Sequence, residues 1–245
     1  MSKQDEIAPA RARIAANLAV IRERIAAACR QAGRPADAVR LVAVTKYVAA
    51  DLTRLVVEAG CRDLAESRPQ SIWAKAEVLA AAQPPPRWHL VGHLQRNKIR
   101  RTLPLLSMLH SLDSLRLLEA IAGEAEAAAL PTPCDVLVEV NLTGDPGRSG
   151  VPVAEAAALV DAASSAPGIR LRGLMGMAAH PDAADADPRR DFARLRALRD
   201  DLAARLPDPA TLGELSMGMS NDFEAAILEG ATIVRIGTAV FEGLR

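Results

Sequence analysis

Leu41-Val42-Ala43-Val44-Thr45-Lys46 decides how this chain is read. Four apolar residues in a row, two of them β-branched, suit a short buried strand and are too few for a helix. The run then stops at a lysine. Lysine is scarce here, with 4 lysines against 26 arginines. Arginine stays protonated, whereas a lysine amine can lose its proton and attack a carbonyl. Lys46 is therefore a candidate Schiff-base lysine. The plain alternative is a strand-end side chain reaching into water.

Working outward, the same strand recurs along the chain. Short apolar runs predict strands at 41–45, 62–65, 88–91, 108–110, 136–140, 171–175, 214–217 and 233–236. Helical spacing fills the gaps at 52–59, 70–82, 98–105, 115–129, 153–164, 189–206 and 222–229, and a short last helix is expected at 238–242. Before them all, Ile14, Leu18, Ile21 and Ile25 mark an N-terminal helix over 9–32, stopped by Gly33-Arg34-Pro35. Eight strand–helix units in 245 residues predict an α/β fold, a closed (β/α)8 TIM barrel with an extra N-terminal helix, as one domain over 1–245. A doubly wound open sheet would more often carry a glycine-rich fingerprint after its first strand, and Lys46-Tyr47-Val48 is nothing of the kind.

Composition excludes several partners. Half of the residues are hydrophobic and only 2% aromatic, so alanine, leucine and valine must fill the core. Formal net charge is zero and no basic stripe carries interleaved aromatics, which argues against nucleic acid. No apolar run approaches 18 residues, and the N-terminus is polar, so neither a membrane span nor a signal peptide is expected. Cys29, Cys61 and Cys134 are odd in number and far apart, which suits buried thiols in a reducing cytoplasm.

In such a barrel the site lies at the C-terminal ends of the strands. The unusual polar residues fall there: Lys46 after the first strand, Glu66, Ser67 and Arg68 after the second, His93 at the third, Ser111 and Asp113 at the fourth, Asn141 at the fifth. Met175 and Met177 flank Gly176 after the sixth, and they read as rim and core filler together with Met217 and Met219. Ser216 and Ser220 bracket the end of the seventh strand, and Arg235, Gly237 and Thr238 end the eighth. Ser220 or Asn221 can cap one helix, and Gly237-Thr238 opens another. Two helix starts with hydroxyl side chains make an anion cup, the place where barrels commonly bind phosphate. Ordinary capping explains either motif alone. A phosphate cup facing a strand-end lysine points to pyridoxal 5'-phosphate. His89 and His93 have no accompanying carboxylate or thiol pattern, so hydrogen-bonded packing is preferred to a metal site. Tyr47, the only tyrosine, follows Lys46 directly, and strand alternation sends the two side chains apart.

Beyond Lys46, the segments Trp88-His89-Leu90-Val91-Gly92-His93-Leu94-Gln95-Arg96-Asn97-Lys98, His110-Ser111-Leu112-Asp113-Ser114, Val138-Glu139-Val140-Asn141, Gly173-Leu174-Met175-Gly176-Met177, Leu215-Ser216-Met217-Gly218-Met219-Ser220 and Val234-Arg235-Ile236-Gly237-Thr238 are informative together. From 41 to 243 the chain resembles the pyridoxal phosphate homeostasis protein family, related to the alanine racemase-like barrel of fold type III. The resemblance implies a Schiff base from pyridoxal 5'-phosphate to Lys46. It implies a phosphate held by Ser220, Gly237 and Thr238, with Arg235 facing the pyridine nitrogen. It also places Ser67, Met175 and Ser216 around the cofactor. Two departures stand out: Leu64-Ala65-Glu66-Ser67-Arg68-Pro69-Gln70 has Ser67 where the family usually has asparagine, and Phe241-Glu242-Gly243 interrupts the usual Phe-Gly.

Three functions follow as expectations. The first is a protein that holds and delivers pyridoxal phosphate in vitamin B6 homeostasis, with little or no turnover, passing it to apo-enzymes that need it. The second is an amino-acid racemase. The third, a barrel enzyme for another phosphorylated substrate, leaves Lys46 unexplained. Arg235 would leave the pyridine nitrogen unprotonated and the ring a weaker electron sink. The barrel consumes the chain to Arg245, leaving no second domain to supply a second acid–base, which favours the carrier and a monomer.

Overall fold

The computed structural model describes residues 3–128, 132–183 and 185–244. The strands are β1 (Arg40–Val44), β2 (Asp63–Glu66), β3 (Arg87–Leu90), β4 (Leu106–Leu112), β5 (Cys134–Asn141), β6 (Val151–Pro152), β7 (Ile169–Gly176), β8 (Glu214–Ser216) and β9 (Ile233–Ile236). All pair in parallel, and the order β4-β3-β2-β1-β9-β8-β7-β5 closes through β4–β5. That is the expected eight-stranded barrel. The two-residue β6 only extends the tip of β5.

The helices are α1 (Lys3–Gln31), α2 (Ala50–Glu58), α3 (Pro69–Val78), α4 (Ile99–Thr102), α5 (Leu115–Ala127), α6 (Ala156–Ser165), α7 (Pro188–Ala203) and α8 (Phe223–Leu228). Two of them show their local reasons plainly. On α5, Ser114 caps the Leu117 N–H at 3.3 Å, and Leu117, Leu118, Ile121 and Ala125 form one buried stripe. On α7, Asp187 accepts from the Arg190 N–H at 3.1 Å and Pro188 supplies a preset φ at the first position. The extra helix α1 buries the expected Ile14, Leu18, Ile21 and Ile25, and Asn17 Nδ2 donates to Val240 O and Glu242 O at 3.1 and 2.9 Å. The first helix thereby ties both ends of the chain together.

Some boundaries differ from the sequence reading. α1 begins six residues before Pro9, which it carries inside the helix, so the proline is not a start signal here. The helix expected over 98–105 is a four-residue α-turn between two 3₁₀ turns, because Pro104 removes a donor from its last turn. The expected end of the fifth helix at Ala129, and the domain limits Met1 and Arg245, lie outside the described residues.

Period-two alternation divides the core. Val42 faces the barrel interior with Ala65, Met108, Leu137, Met175 and Ile233, joined by Val44 and Val91. Ala43 and Leu64, the alternate residues, join the much larger layer between barrel and helices. Met175 and Met217 are buried filler as expected, while Met219 is 41% exposed. All three cysteines are free and buried. Burial pushes the thiols of Cys61 and Cys134 up to about 11 and 12, so they stay protonated and inert at neutral pH. No helix among the described residues is long and apolar enough to cross a membrane.

Candidate functional site

Lys46 stands just past β1, at the C-terminal mouth of the barrel. Strand geometry ends before it: the Val48 N–H donates to Thr45 O at 3.1 Å and closes a turn. Alternation therefore no longer governs residues 46 and 47. The expectation that their side chains part is corrected, since Lys46 Nζ lies 4.8 Å from the centre of the Tyr47 ring. Lys46 is exposed, and Tyr47 is 84% exposed.

The residue before Lys46 is clamped. Thr45 Oγ1 donates to Glu66 Oε1 at 2.6 Å, and Lys75 Nζ from α3 donates to Thr45 O at 2.7 Å and to Glu66 Oε1 at 2.6 Å. Thr45 and Glu66 are fully buried and Lys75 nearly so. Glu66 Oε2 has no partner among the described residues. The sequence reading passed over Lys75. Its signal was the one that exposed Lys46, a lysine where this chain ordinarily uses arginine.

Arg235 lies on the inner face, in register with the core residue Val42. Its guanidinium donates to Ser216 Oγ at 2.8 Å and to Gly176 O at 3.1 Å. Burial lowers it to about 10, with Glu139 and Asp222 opposing from a distance, so it remains a cation at neutral pH. It pairs with no carboxylate among the described residues. An arginine has five N–H donors. A buried cation with donors to spare suits an acceptor arriving from the lumen, such as a pyridine nitrogen.

After β8, Gly218 turns the chain at φ +91°, where a Cβ would lie 2.6 Å from Ala226 Cβ, and its carbonyl accepts from the Arg235 N–H at 3.0 Å. Ser220 Oγ receives the Ala239 N–H at 3.5 Å, bringing the segments after β8 and β9 together. Two expectations change. The N-cap of α8 is Asp222, not Ser220 or Asn221. Its carboxylate accepts from the Met219 N–H at 2.6 Å, and the Phe223 N–H points back to Met219 O. Burial raises the Asp222 carboxyl, against these bonds and Arg235. Thr238 opens a four-residue 3₁₀ turn. Gly237 packs beside Val44, where a Cβ would sit 3.4 Å from the Val44 carbonyl.

The site residues form a depth series. Arg235, Ser216 and Met175 are buried, Ser67, Ser220 and Gly237 are half-buried, and Lys46 and Thr238 are exposed. Ser67 is pinned from behind, because a Cβ on Gly92 would come within 2.3 Å of its carbonyl oxygen. The other strand-end residues have different work. Ser111 lies within β4 and donates to Gly92 O at 2.7 Å. Asn141 organises the loop after β5, bonding Thr143, Gly144, Asp145 and Arg148. His93 is off its strand and exposed, 3.3 Å from Asp113. His89 instead faces the interior and bonds His110 at 2.8 Å. Glu139, given no role of its own in the sequence reading, is 3% exposed on the inner face, bonded by Ser149, and raised by burial. Two cavities of about 490 and 270 Å³ open at the other end, by Arg40, Arg172 and Glu214 and by Arg22, Arg62, Asp63 and Arg87. That face of a barrel serves stability, and Arg40–Glu214 and Arg87–Asp63 are already paired there.

The family model for the N-terminal domain of alanine racemase matches residues 12–244. A pyridoxal phosphate homeostasis protein of Pseudomonas aeruginosa is 41% identical over 93% of this chain and 94% of its own. The human protein of that name is 33% identical over 91% of this chain and 84% of its own. The structure of PipY from Synechococcus elongatus PCC7942, with PLP bound, superposes with a TM-score of 0.79 at 32% identity, covering 93% of this chain and 99% of that one. The chain thus belongs to the alanine racemase N-terminal domain family, alongside the pyridoxal phosphate homeostasis proteins.

Proposed function

We propose that this protein binds pyridoxal 5'-phosphate at the barrel mouth, holds it on Lys46, and delivers it to apo-enzymes, with little or no turnover of its own. The observation that carries this reading is Arg235, a buried guanidinium on the inner face that bonds Ser216 and Gly176 and pairs with no carboxylate among the described residues. Pyridoxal phosphate supplies an aldehyde for an amine, a ring nitrogen that accepts a hydrogen bond, and a phosphate dianion. Lys46 offers the amine. Ser220, Gly237 and Thr238 offer the phosphate its contacts, and Arg235 offers a donor to the ring nitrogen, with Ser216 behind it. Ser67 and Met175 border the ring. The racemase alternative needs an acid–base on each side of the bound amino acid. Tyr47 stacks by Lys46 itself, not across from it. The unpaired buried thiols fit a cytoplasmic setting.

The test is to load the protein with pyridoxal phosphate and offer it two tasks. Given alanine in deuterated water, it should exchange the α-proton at a small fraction of a racemase's rate, since one placed general base is worth about 10²–10⁴-fold. Given an apo-enzyme, it should restore that enzyme's activity. Turnover at roughly 1–10³ per second would overturn the carrier reading in favour of the racemase.

A further inference from the structure

A continuous chain of side chains runs through the barrel from Arg235 to the opposite face. Arg235 donates to Ser216 Oγ at 2.8 Å. Ser216 Oγ lies 2.9 Å from His110 Nδ1. His110 Nε2 lies 2.8 Å from His89 Nδ1, and His89 Nε2 lies 3.1 Å from Asp63 Oδ1. Arg87 bonds the second oxygen of Asp63 at the barrel's N-terminal end. Ser216 and His110 are 0% exposed, His89 1% and Asp63 6%.

The two ends fix the direction of every bond between them. Arginine can only donate, and an ionised carboxylate can only accept. Burial by itself raises Asp63, but bonds from His89 and Arg87 outweigh it and hold the carboxyl below its usual range, so it is ionised at neutral pH. Burial keeps both imidazoles neutral: His110 lies well below the ordinary histidine value and His89 below it despite Asp63. Each neutral ring then gives one hydrogen and takes one. His89 must give its Nε2–H to Asp63 and accept at Nδ1. His110 must give its Nε2–H to His89 and accept at Nδ1. Ser216 must give its hydroxyl hydrogen to His110, which leaves only lone pairs for Arg235. In the reverse order a nitrogen lone pair would face the Asp63 carboxylate, and Ser216 would receive two donors with no acceptor for its own hydrogen.

We infer that Asp63, His89, His110 and Ser216 are positioning residues for the cofactor: one-way bonds from a carboxylate at the far end of the barrel orient Arg235 toward the cofactor's ring nitrogen. This rests on the reading of Arg235 as that nitrogen's partner. It accounts for four polar residues buried in one continuous line through the barrel, at a place where satisfied networks specify a single geometry. It also explains how Arg235 can be held with no carboxylate in contact among the described residues. Its countercharge sits three side chains away, and its free donors are left to the ligand.

The experiment has two arms on the full-length protein. In the first, without cofactor, long-range ¹⁵N–¹H spectra of the imidazoles are recorded near neutral pH. His89 and His110 should both be neutral Nε2–H tautomers, and an Nδ1–H tautomer or a charged ring at either position overturns the relay. In the second, ¹⁵N-labelled pyridoxal phosphate reports the ring-nitrogen shift, with borohydride trapping on Lys46 as a control. Asp63→Leu should displace that shift while Lys46 is still trapped. Asp63→Asn, which keeps an acceptor for His89, should return it to the wild-type value. Ser216→Ala removes the acceptor of Arg235 directly and should displace the shift as well, so it serves where Asp63→Leu does not fold. A shift unchanged in Asp63→Leu or Ser216→Ala overturns the positioning role. Failure of the wild-type protein to trap cofactor on Lys46 would instead defeat the binding reading, and the tautomer arm would still judge the relay by itself.

Discussion

At the scale of single residues, the proposed site is a set of polar groups at graded depth, and its proposed phosphate contacts lie towards the exposed end. Thr238 is on the rim and Ser220 half-buried. A hydrogen bond to a charged group contributes about 1.5–3 kcal/mol. Thr238→Val should therefore weaken pyridoxal phosphate binding by roughly ten- to a hundredfold and leave unphosphorylated pyridoxal almost unaffected, as titration of both ligands would show. Equal weakening of both would remove Thr238 from the phosphate site. Residue chemistry was the most legible part of the sequence. Lys46 and Arg235 could be named because an amine and a guanidinium at strand ends are unusual. The Asp63–His89–His110–Ser216 relay could not, because its members lie on four strands and their contact depends on barrel register. Hydrogen-bonded packing of His89 could be read from the sequence, but not its partners, His110, 21 residues away, and Asp63.

At the scale of elements, β1, β2 and α3 are joined behind Lys46 by Thr45, Glu66 and Lys75. Removing one partner of a buried ion pair leaves the other charge uncompensated, at a cost of about 3–5 kcal/mol. Lys75→Met should show a loss of that order in urea unfolding. The double variant Glu66→Leu/Lys75→Met should recover much of it, because the pair is replaced by apolar groups. A single variant as stable as wild type would mean that the pair does not clamp the turn carrying Lys46. Strand positions were legible from apolar runs, and all eight were found. Helix starts were not. α8 was expected to be capped by Ser220 or Asn221, but the Asp222 side chain turned back to the Met219 N–H and the helix began a residue later. Pro9 misled because a first-turn signal can also be carried inside a helix whose other bonds are made.

At the scale of the whole molecule, the buried histidines make stability depend on pH. In the unfolded chain each imidazole takes up a proton below about pH 6.5, while His110 and His89 in the folded chain resist it through burial. The unfolded state then binds more protons, so this contribution is complete above about pH 6.5 and is lost on acidification. The slope is up to about 1.4 kcal/mol per pH unit for each group. Arg40, Arg87 and Arg235 reinforce the effect, and Asp63 opposes it at His89. Glu139 and Asp222, both raised by burial, act in the opposite direction only nearer the carboxylate range. Urea midpoints should thus fall from pH 7 to pH 5.5 in one cooperative transition, as expected of one domain. A flat profile, or two separate transitions, would contradict this. The barrel was legible as eight alternating units. Its closure followed from that count, whereas the polar chain inside it did not, since that depends on how strands far apart in sequence align.

The most direct test of the central claim uses the 4 lysines of the chain as its own controls. The protein is incubated with pyridoxal phosphate, reduced with borohydride, weighed intact and mapped by peptide mass. One cofactor per chain, on Lys46 and absent from Lys3, Lys75 and Lys98, with none in Lys46→Ala, is the predicted result. No adduct, or an adduct that persists in Lys46→Ala, would contradict the account.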